Sequence, residues 1–492
     1  MCAAAAATVS VSRECVFHKR DFFFAMSKTS DGLSIARGRA ATHGLTSPAA
    51  LDKAPLPGDE YDVVVVGAGF AGLTAARELG SRGLRVAIVE ARDRIGGRTF
   101  VAEQGGQKYE LGGTWVHWGQ PYVWNELHRY GLAITESLSG TADTMSVLTA
   151  DGLSTDTAES IGKDLEQALT AYCDIDGAQC KVAFPNPHAA SAELLAHTDE
   201  LSLADRFAAI PSEGRQRDLL LSFLTMNAAT DPAKGGFHDQ LRWWALGEYS
   251  ADSLLKRLGR YKIAEGTSAL AAALLKDSNA HLALEQPVSR IDVVGGMARV
   301  RTKTMEIRCK SVVVAVPLNV LGDIDFGAAL SPARSAAHQE RHVCAGTKFI
   351  ARVDRSVGAW VGFAPFPHPL TMVVADREID GKSVLVGFGP DDDIKLDDIH
   401  QIETELRKFL PGIVVEEVFA HDWTNDPYAK GGWTWFSPRQ TSRVLPELRA
   451  PMPPLFFANT DWASGWRGFI DGAIEEGIRG ARDVLSFLRS SV

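Results

Sequence analysis

The feature that most constrains the fold is a glycine-rich turn placed between an apolar run and a helical pattern. Residues 61–66, Tyr-Asp-Val-Val-Val-Val, form a mostly apolar, valine-rich run, which is typical of a strand buried in a parallel sheet. Residues 67–72 then read Gly-Ala-Gly-Phe-Ala-Gly, a helical pattern follows at 71–81, and a second buried strand is predicted at 84–89. The chain therefore contains a complete strand–helix–strand unit with parallel strands.

Each of the three glycines in the turn is required for a different physical reason. Gly67 permits the tight turn, Gly69 lets the backbone approach a pyrophosphate, and Gly72 lets helix and strand pack closely. The helix N-terminus offers free N–H groups to the phosphates. Glu90 ends the second strand at the distance, about 20 residues, where a carboxylate accepts hydrogen bonds from ribose hydroxyls and repels a 2′-phosphate. The spacing predicts a Rossmann-type dinucleotide site and disfavours NADP.

The residues after the second strand distinguish between NAD and FAD. Residues 90–98 read Glu-Ala-Arg-Asp-Arg-Ile-Gly-Gly-Arg, so that a second glycine pair can pass close to the ligand and Arg98 can meet the pyrophosphate charge. An NAD-dependent dehydrogenase, one alternative, has no need of this second clamp. Here the sequence resembles the flavin-containing amine oxidase family, in particular its soluble fungal monoamine oxidases. The expected cofactor contacts in this part of the chain are Gly67, Gly69, Phe70, Ala71, Gly72, Glu90, Ala91, Arg92, Gly97 and Arg98.

The resemblance extends from about residue 61 to the end of the chain and includes two further motifs. Residues 110–118 read Glu-Leu-Gly-Gly-Thr-Trp-Val-His-Trp, and residues 469–477 read Phe-Ile-Asp-Gly-Ala-Ile-Glu-Glu-Gly. The resemblance implies FAD, with the backbone N–H of Ile470 at the N1 and O2 edge of the flavin, where a helix dipole stabilises the anionic reduced form. It also implies Asp461 on the ribityl chain and Val288 on the adenine side. The remaining flavin contacts that it implies are Gly112, Gly113, Thr114, Trp115 and Trp423.

The resemblance assigns three residues to catalysis. Trp433 and Phe469 would form an aromatic cage that orients the amine in front of the flavin, and cation–π attraction can recruit the amine before it loses its proton. Lys348 would hold a water against flavin N5. A lysine within an apolar run is costly to bury without such a function, and this supports the assignment.

Gly432, which precedes Trp433, bears on how the flavin is held. Membrane-bound monoamine oxidases carry at this position a cysteine that is bonded to the flavin. No cysteine follows Cys344 in this chain. The resemblance therefore implies that FAD is bound without a covalent link.

Further aromatic and apolar side chains are candidates for the substrate pocket. Trp118 follows the first flavin motif, and most of the others lie in the helical middle of the chain. The predicted set is Trp118, Phe223, Met226, Trp244, Tyr249 and Cys344. We expect no metal site, because no cluster with metal-ligand spacing is present.

The predicted fold class is α/β: a Rossmann-type FAD-binding domain interleaved with a mixed-sheet and helical substrate domain, the architecture of amine oxidases and p-hydroxybenzoate hydroxylase. We assign residues 59–138, 262–331 and 424–492 to the discontinuous FAD-binding domain. Residues 139–261 and 332–423 would form the substrate-binding domain. Residues 1–58, rich in Ala, Ser, Thr, Gly and Pro without apolar periodicity, are predicted to be a flexible arm.

Composition limits the partners and the location. The net charge of −10 disfavours nucleic-acid binding, and no run approaches the ~18 apolar residues of a membrane span. We expect a soluble intracellular protein of the cytoplasm or peroxisome, forming a homodimer or a higher homo-oligomer. Residues 1–25 are poor in acids and contain Arg13, Lys19 and Arg20, which leaves a mitochondrial transit peptide open.

The predicted function is oxidative deamination of a primary amine to an aldehyde or ketone, ammonia and hydrogen peroxide, with O₂ as oxidant. The alternatives are a polyamine or L-amino-acid oxidase of the same fold and a catalytically silent flavoprotein. An amino-acid oxidase needs an arginine facing the flavin, which the cage positions do not offer. Lys348 and both cage aromatics argue against a silent flavoprotein.

Overall fold

A mostly parallel sheet around the Glu60–Val66 strand organises one half of the protein. The computed structural model describes residues 26–391 and 393–490. The spatial order of this sheet is His281–Ala283, Val86–Val89, Glu60–Val66, Glu306–Val314, Met297–Arg301 and Arg290–Val294, with Leu455–Phe457 also paired to Glu306–Val314. The predicted strand–helix–strand unit is confirmed, and its helix is Phe70–Gly80. The chain returns to this sheet twice, from residues far apart in sequence.

Close packing in this half depends on glycine. A Cβ on Gly72 would lie 2.0 Å from the carbonyl oxygen of Gly67, and one on Gly477 would lie 2.5 Å from that of Ala71. Gly72 therefore lets the first helix sit on its strand, and Gly477 lets the C-terminal helix Ile470–Ser490 pack against the first helix.

A second, mostly antiparallel sheet forms the other half. Its spatial order is Gly152–Thr157, Thr144–Thr149, Trp360–Phe363, Met372–Ile379, Lys382–Gly389, Thr347–Val353, Val415–Ala420, Leu33–Ala36 and Thr42–His43. Three small sheets pair Ile134–Glu136 with Tyr261–Ile263 and Trp115–Val116, Ser27–Lys28 with Thr46–Ser47, and Val101–Gln104 with Gln107–Glu110.

Helices surround the two large sheets. The α-helices are Phe70–Gly80, Pro121–Tyr130, Ala158–Cys173, Ala192–Thr198, Leu203–Ala208, Gly214–Ala228, Phe237–Leu246, Ala251–Gly259, Thr267–Ser278, Leu318–Leu321, Pro332–Gln339, Ile399–Phe409, Gln440–Arg449 and Ile470–Ser490. Short 3₁₀ turns occur at Leu138–Thr141, Gly327–Ala329 and Thr460–Trp462. The mixed α/β class is confirmed, whereas the domain limits stay a prediction.

The prediction of a flexible arm over residues 1–58 is wrong for its described part. Leu33–Ala36 extends the second large sheet by antiparallel pairing with Val415–Ala420, in the register Leu33↔Ala420. This strand could not be predicted from the sequence, because its partner strand lies nearly 400 residues away and four residues are too few to show an alternating pattern. Residues 1–25, where a transit peptide was considered, lie outside the described residues.

Two further features of the fold concern its cysteines and its helix lengths. Cys173, Cys180, Cys309 and Cys344, the cysteines of the described part, are all free and buried. In that same part, no helix combines the length and the apolar character needed to cross a bilayer.

Candidate active site

One large cavity runs from the glycine-rich turn to the space beside the second sheet. Its volume is about 1300 Å³, above the ~300–1000 Å³ of ordinary ligand pockets. At one end it is lined by the predicted residues Gly67, Gly69, Phe70, Ala71, Glu90, Ala91, Arg92, Gly97, Arg98 and Val288. At the other it is lined by the predicted residues Gly112, Gly113, Thr114, Trp115, Met226, Lys348, Trp423, Trp433, Phe469 and Ile470. Tertiary structure thus brings most of the predicted site into one continuous space.

The two glycine turns touch at the nucleotide end. A Cβ on Gly97 would lie 3.0 Å from the Cα of Gly69, and Gly97 has a φ of +60°, which favours glycine. Glu90 accepts hydrogen bonds from the backbone N–H groups of Ala68 (2.6 Å) and Arg92 (2.9 Å), and its burial raises its pKa. The carboxylate is held in place by the backbone and keeps lone pairs for ribose hydroxyls.

Arg98 connects the second glycine turn to two other segments. Its Nη1 donates to the carbonyl oxygen of Gly432 at 2.9 Å, and its Nη2 pairs with Asp461 at 2.6 Å. The prediction that Asp461 contacts the ribityl chain is not supported, because this residue does not line the cavity. Its side chain is fully buried, and its oxygens accept from Arg98, from the Thr434 hydroxyl and from the backbone N–H of Leu318. Asp461 therefore orients Arg98 through an ion pair on the side away from the cavity.

Gly72 also does not line the cavity. It lies on the inner side of the first helix, where its missing side chain admits the Gly67 carbonyl, and this is the packing role predicted for it.

Lys348 lies on the Thr347–Val353 strand, at the end of the cavity that Trp115 and Trp433 line. Its Nζ donates to the carbonyl oxygens of Glu110 (2.8 Å) and Gly112 (2.6 Å) and to Thr114 Oγ1 (2.8 Å). These acceptors take all three ammonium protons, so a water held by Lys348 would replace one of them. Burial lowers the pKa of Lys348, while the Glu110 carboxylate opposes the shift.

Trp433 and Phe469 form aromatic walls of the cavity beyond Lys348. The Trp433 indole N–H donates to the carbonyl oxygen of Asn227 at 2.8 Å, which fixes the orientation of the ring. The Phe469 ring packs 5.3 Å from Trp243, centroid to centroid. Gly468, with a φ of +88°, directly precedes Phe469 and lies next to Trp433. A Cβ on Gly468 would lie 3.5 Å from the Cβ of Trp433.

Several predicted pocket residues lie elsewhere, because burial and helix phase are decided by the fold. The indole of Trp118 is 52% exposed and packs against Tyr261, with ring centroids 4.9 Å apart. Phe223 and Trp244 are fully buried in the core, and the Trp244 indole donates to the Gln179 carbonyl at 3.1 Å. These three predictions are wrong.

Tyr249 and Cys344 are also outside the cavity lining. The Tyr249 hydroxyl donates to the carbonyl of Phe184, beside a separate cavity of about 360 Å³. Cys344 is buried behind Gly432, where a Cβ at position 432 would lie 3.1 Å from its Sγ. Burial raises the pKa of the Cys344 thiol to about 12, which keeps it neutral.

Other lining residues were missed by sequence reasoning. Trp243 lines the cavity in place of its neighbour Trp244, since successive helical residues point about 100° apart. Met372 and Val374, two apart on one strand, present the same sheet face to the cavity. Phe388 follows on the next strand, 6.5 Å from the Trp433 ring. The apolar run at residues 372–375 predicts a buried strand, but it does not show which face of that strand meets the cavity.

Three carboxylate and imidazole groups outside the cavity could suggest a cation site. The ligand atoms of Asp31, His421 and Asp426 lie within 4.8 Å of one another. Arg92 pairs with both acids, at 3.1 and 2.6 Å, and Arg94 pairs with Asp31 at 2.7 Å. The negative charge is thus already matched by guanidinium groups.

The residues present fit FAD on two observations. The close approach of Gly97 to Gly69, which a side chain at position 97 would obstruct, brings two backbone turns together where a pyrophosphate would bind. At the far end Ile470, which begins a 21-residue helix, lines the cavity and directs a helix N-terminus toward it. Fold and site together define a dinucleotide-binding flavoprotein oxidoreductase.

Comparison with known proteins gives the family. The model of the flavin containing amine oxidoreductases matches residues 70–485, so the chain belongs to this family, and its cofactor is FAD. It is 35% identical over 437 residues to the pseudooxynicotine dehydrogenase of a Pseudomonas species, covering 87% of each chain. It is 33% identical over 482 residues to the nicotine dehydrogenase of Pseudomonas putida S16, covering 94% of this chain and 99% of that one.

The fold is also that of solved amine oxidases. A double mutant of putrescine oxidase matches with a TM-score of 0.75 and 21% identity, covering 87% of this chain and 100% of that chain. Membership of the family makes the protein a flavin-dependent enzyme that oxidises amines.

Proposed function

We propose that the protein oxidises a slim amine with an apolar tail, a primary amine going to an aldehyde or ketone, ammonia and hydrogen peroxide. FAD, when bound, supplies the acceptor for the hydride equivalent from the carbon next to nitrogen. The protein's own residues orient the amine and exclude water. The single observation that carries the proposal is the pair of aromatic walls, Trp433 and Phe469, in the same cavity as Lys348 and the glycine turns.

The walls explain how an amine would be positioned. Trp433 is locked by its hydrogen bond to Asn227, and Phe469 is held by ring contacts with Trp243 and with Trp466, at 5.3 and 5.1 Å. Rigid ring faces admit a narrow CH₂–NH₂ group and restrict its rotation, which favours a near-attack geometry. Aromatic faces also attract the protonated amine before it loses its proton.

The chemistry of the lining supports an apolar tail. Toward the second sheet the cavity is lined by the apolar side chains Met145, Met226, Trp243, Leu255, Leu258, Val361, Phe363, Met372, Val374 and Phe388. Among the described residues, the acids that line it are Glu90, Glu159, Glu166, Asp252 and Asp323. Glu90 lies at the nucleotide end. Glu159 and Asp252 are over 70% exposed and paired with Lys163 and Lys256.

Glu166, on the Ala158–Cys173 helix, is half-buried and already accepts from the Ser250 hydroxyl and the backbone N–H of Ala251, and Asp323 pairs with Lys430. A second ammonium group would therefore meet no unpartnered carboxylate in the apolar part of the cavity. Burying an unpaired charge is strongly unfavourable. This argues against a diamine or polyamine substrate, even though the fold is shared with putrescine oxidase.

A second candidate is an N-substituted amine that carries an aromatic ring. It is favoured by the two relatives at 35% and 33% identity, whose names refer to pseudooxynicotine and nicotine. Both are named dehydrogenases, so the electron acceptor must be tested along with the amine. The homo-oligomeric state and the compartment stay predictions.

The test compares hexylamine with hexane-1,6-diamine, which differ by one terminal ammonium group. Anaerobic bleaching of the flavin measures amine oxidation without reference to the acceptor, and peroxide release in air tests O₂. We expect kcat/KM to be at least about tenfold higher for the monoamine, the penalty for an unpaired buried charge. Equal or reversed preference contradicts the apolar-tail proposal.

Nicotine in the same assay tests the second candidate. A flavin that none of these amines and no wider amine panel reduces would instead identify a catalytically silent flavoprotein.

A further inference from the structure

Residues 27–51, here called the N-terminal strap, run along the loop that carries the second glycine pair. The backbone N–H of Ile95 donates to the Ala49 carbonyl at 3.0 Å, and that of Leu51 donates to the Asp93 carbonyl at 3.2 Å. The Asp93 carboxylate in turn accepts from the backbone N–H of Ser30 at 2.7 Å. The strap is therefore bonded to the loop at both of its ends.

The middle of the strap is attached to the other half of the protein. Leu33–Ala36 pairs with Val415–Ala420, and the backbone N–H of Gly32 donates to His421 Nδ1 at 3.1 Å. The strap thus links the nucleotide-side loop to the edge of the second large sheet.

Asp31 is the charged centre of this link. It accepts from Arg94 Nε at 2.7 Å and from Arg92 Nη1 at 3.1 Å. Burial alone would raise the pKa of Asp31, but Arg94 and Arg92 hold it below its usual value. Arg92 has a second partner in Asp426, at 2.6 Å. Arg94 is fully buried, and within residues 26–391 and 393–490 Asp31 is its one carboxylate partner.

The buried Arg94 side chain fixes the backbone of the second glycine turn by hydrogen bonds. Its Nη1 donates to the carbonyl oxygens of Gly97 at 2.9 Å and Thr99 at 3.0 Å. Gly97 is the residue that touches Gly69 at the phosphate end of the cavity. A change at Asp31 therefore reaches the cavity through the buried guanidinium groups of Arg94 and Arg92, although Asp31 does not line the cavity.

We propose that Asp31 is a positioning residue for FAD, and that the N-terminal strap retains the cofactor by holding Arg94 and Arg92 under the 90–97 loop. An unpaired, buried Arg94 would shift toward water or another acceptor, and the turn at Gly96 and Gly97 would lose its shape. The inference concerns cofactor retention, so it stands or falls independently of the amine that the enzyme oxidises.

The experiment compares Asp31→Asn with Asp52→Asn, which removes the same charge from an exposed position just beyond the strap. Both holoenzymes are diluted, and the rise in fluorescence of released FAD gives the dissociation rate. We expect Asp31→Asn to release FAD at least about tenfold faster than the unchanged protein, and Asp52→Asn to differ by less than about twofold. Equal rates for the two variants overturn the proposal.

Thermal unfolding of the flavin-free proteins separates positioning from general stability. Flavin-free Asp31→Asn should unfold close to flavin-free Asp52→Asn, while their FAD-bound forms differ clearly. If the flavin-free forms differ as much as the FAD-bound forms, Asp31 is a general stability residue and the proposal fails.

Asp31→Glu provides a second measurement, including the case in which Asp31→Asn does not fold. It keeps the charge and displaces it by one methylene. FAD release should be faster than in the unchanged protein, and slower than in Asp31→Asn where that variant folds. An unchanged release rate in Asp31→Glu, together with no folded Asp31→Asn, overturns the proposal.

Discussion

Arg98 donates a hydrogen bond across 2.9 Å to the carbonyl oxygen of Gly432. One side chain of the nucleotide-side loop thereby holds the segment that carries Trp433. The same guanidinium pairs with the fully buried Asp461 at 2.6 Å. The position of the second glycine turn and the position of the aromatic wall are therefore coupled through Arg98.

Arg98→Lys should weaken both functions of this side chain. A lysine keeps the charge but cannot reach Gly432 and Asp461 with a planar fork. We expect FAD affinity to fall about tenfold and the free energy of unfolding to fall by about 1–3 kcal/mol, since a buried acceptor loses its partner. Flavin titration and urea unfolding measure the two effects. The exposed Arg482→Lys is the control, and an equal effect there would remove Arg98 from the site.

Trp433→Gly should change substrate preference. Removing the indole opens the slot beside the amine carbon, so kcat/KM should shift toward bulkier amines. Turnover of slim amines should fall, up to about 100-fold, because a displacement of ~1 Å from the reactive geometry has that effect. The ratio of kcat/KM for a slim and a bulky amine is measured in both proteins.

Two further variants control the Trp433 experiment. Trp118→Gly removes an exposed indole outside the cavity and should leave the ratio unchanged. Trp433→Phe keeps an aromatic wall but loses the hydrogen bond to Asn227. Its kcat/KM ratio should lie between those of the unchanged protein and Trp433→Gly. If the ratio does not move in Trp433→Gly, Trp433 is not a wall of the reactive site.

Lys348→Met should leave FAD bound but reduce turnover at least about tenfold. The substitution leaves the carbonyls of Glu110 and Gly112 and the Thr114 hydroxyl without their donor, which also lowers stability by about 2 kcal/mol. Stopped-flow rates of anaerobic flavin reduction and of reoxidation distinguish the affected half-reaction. Exposed Lys395→Met is the control. Two unchanged half-reactions would exclude Lys348 from the mechanism.

Acid or heat denaturation should release intact FAD. Position 432 has no thiol, and the nearby Cys344 is buried, neutral and outside the cavity lining. Flavin absorbance in the supernatant after acid precipitation measures the release, and Cys344→Ser should behave like the unchanged protein. A precipitate that retains its flavin in the unchanged protein but loses it in Cys344→Ser would reveal a covalent link.

His342 should make the protein less stable in acid. Burial lowers the pKa of His342 from 6.5 to about 4. Between these values the unfolded chain binds the proton and the folded protein does not, so stability is full above pH 6.5 and falls as the pH drops toward 4. The loss from this residue is about 3 kcal/mol, because one pKa unit corresponds to 1.36 kcal/mol.

Unfolding free energies from pH 7 to 4 test this expectation. His342→Met removes the titrating group and should flatten the pH dependence by about that amount, whereas exposed His400→Met should not. Parallel curves for His342→Met and the unchanged protein would mean that His342 does not contribute.

Elements whose signal is local could be predicted from the order of residues alone. The strand predicted at 61–66 is Glu60–Val66, and the helix predicted at 71–81 is Phe70–Gly80, because apolar periodicity and glycine geometry act over a few residues. The same locality explains why the glycine motifs sufficed to identify Gly69 and Gly97, which both line the cavity.

Contacts between side chains far apart in the chain depend on how the folded segments pack. Trp243 lines the cavity while its neighbour Trp244 is in the core, a choice made by the orientation of a helix against two sheets. The strap lacks periodicity, yet Asp31 meets Arg94 and a strand edge near residue 420. Asp461 looked like a ligand contact, but long-range pairing placed Arg98 in front of it. Such pairings depend on how separate segments pack, and no local pattern in the chain encodes them.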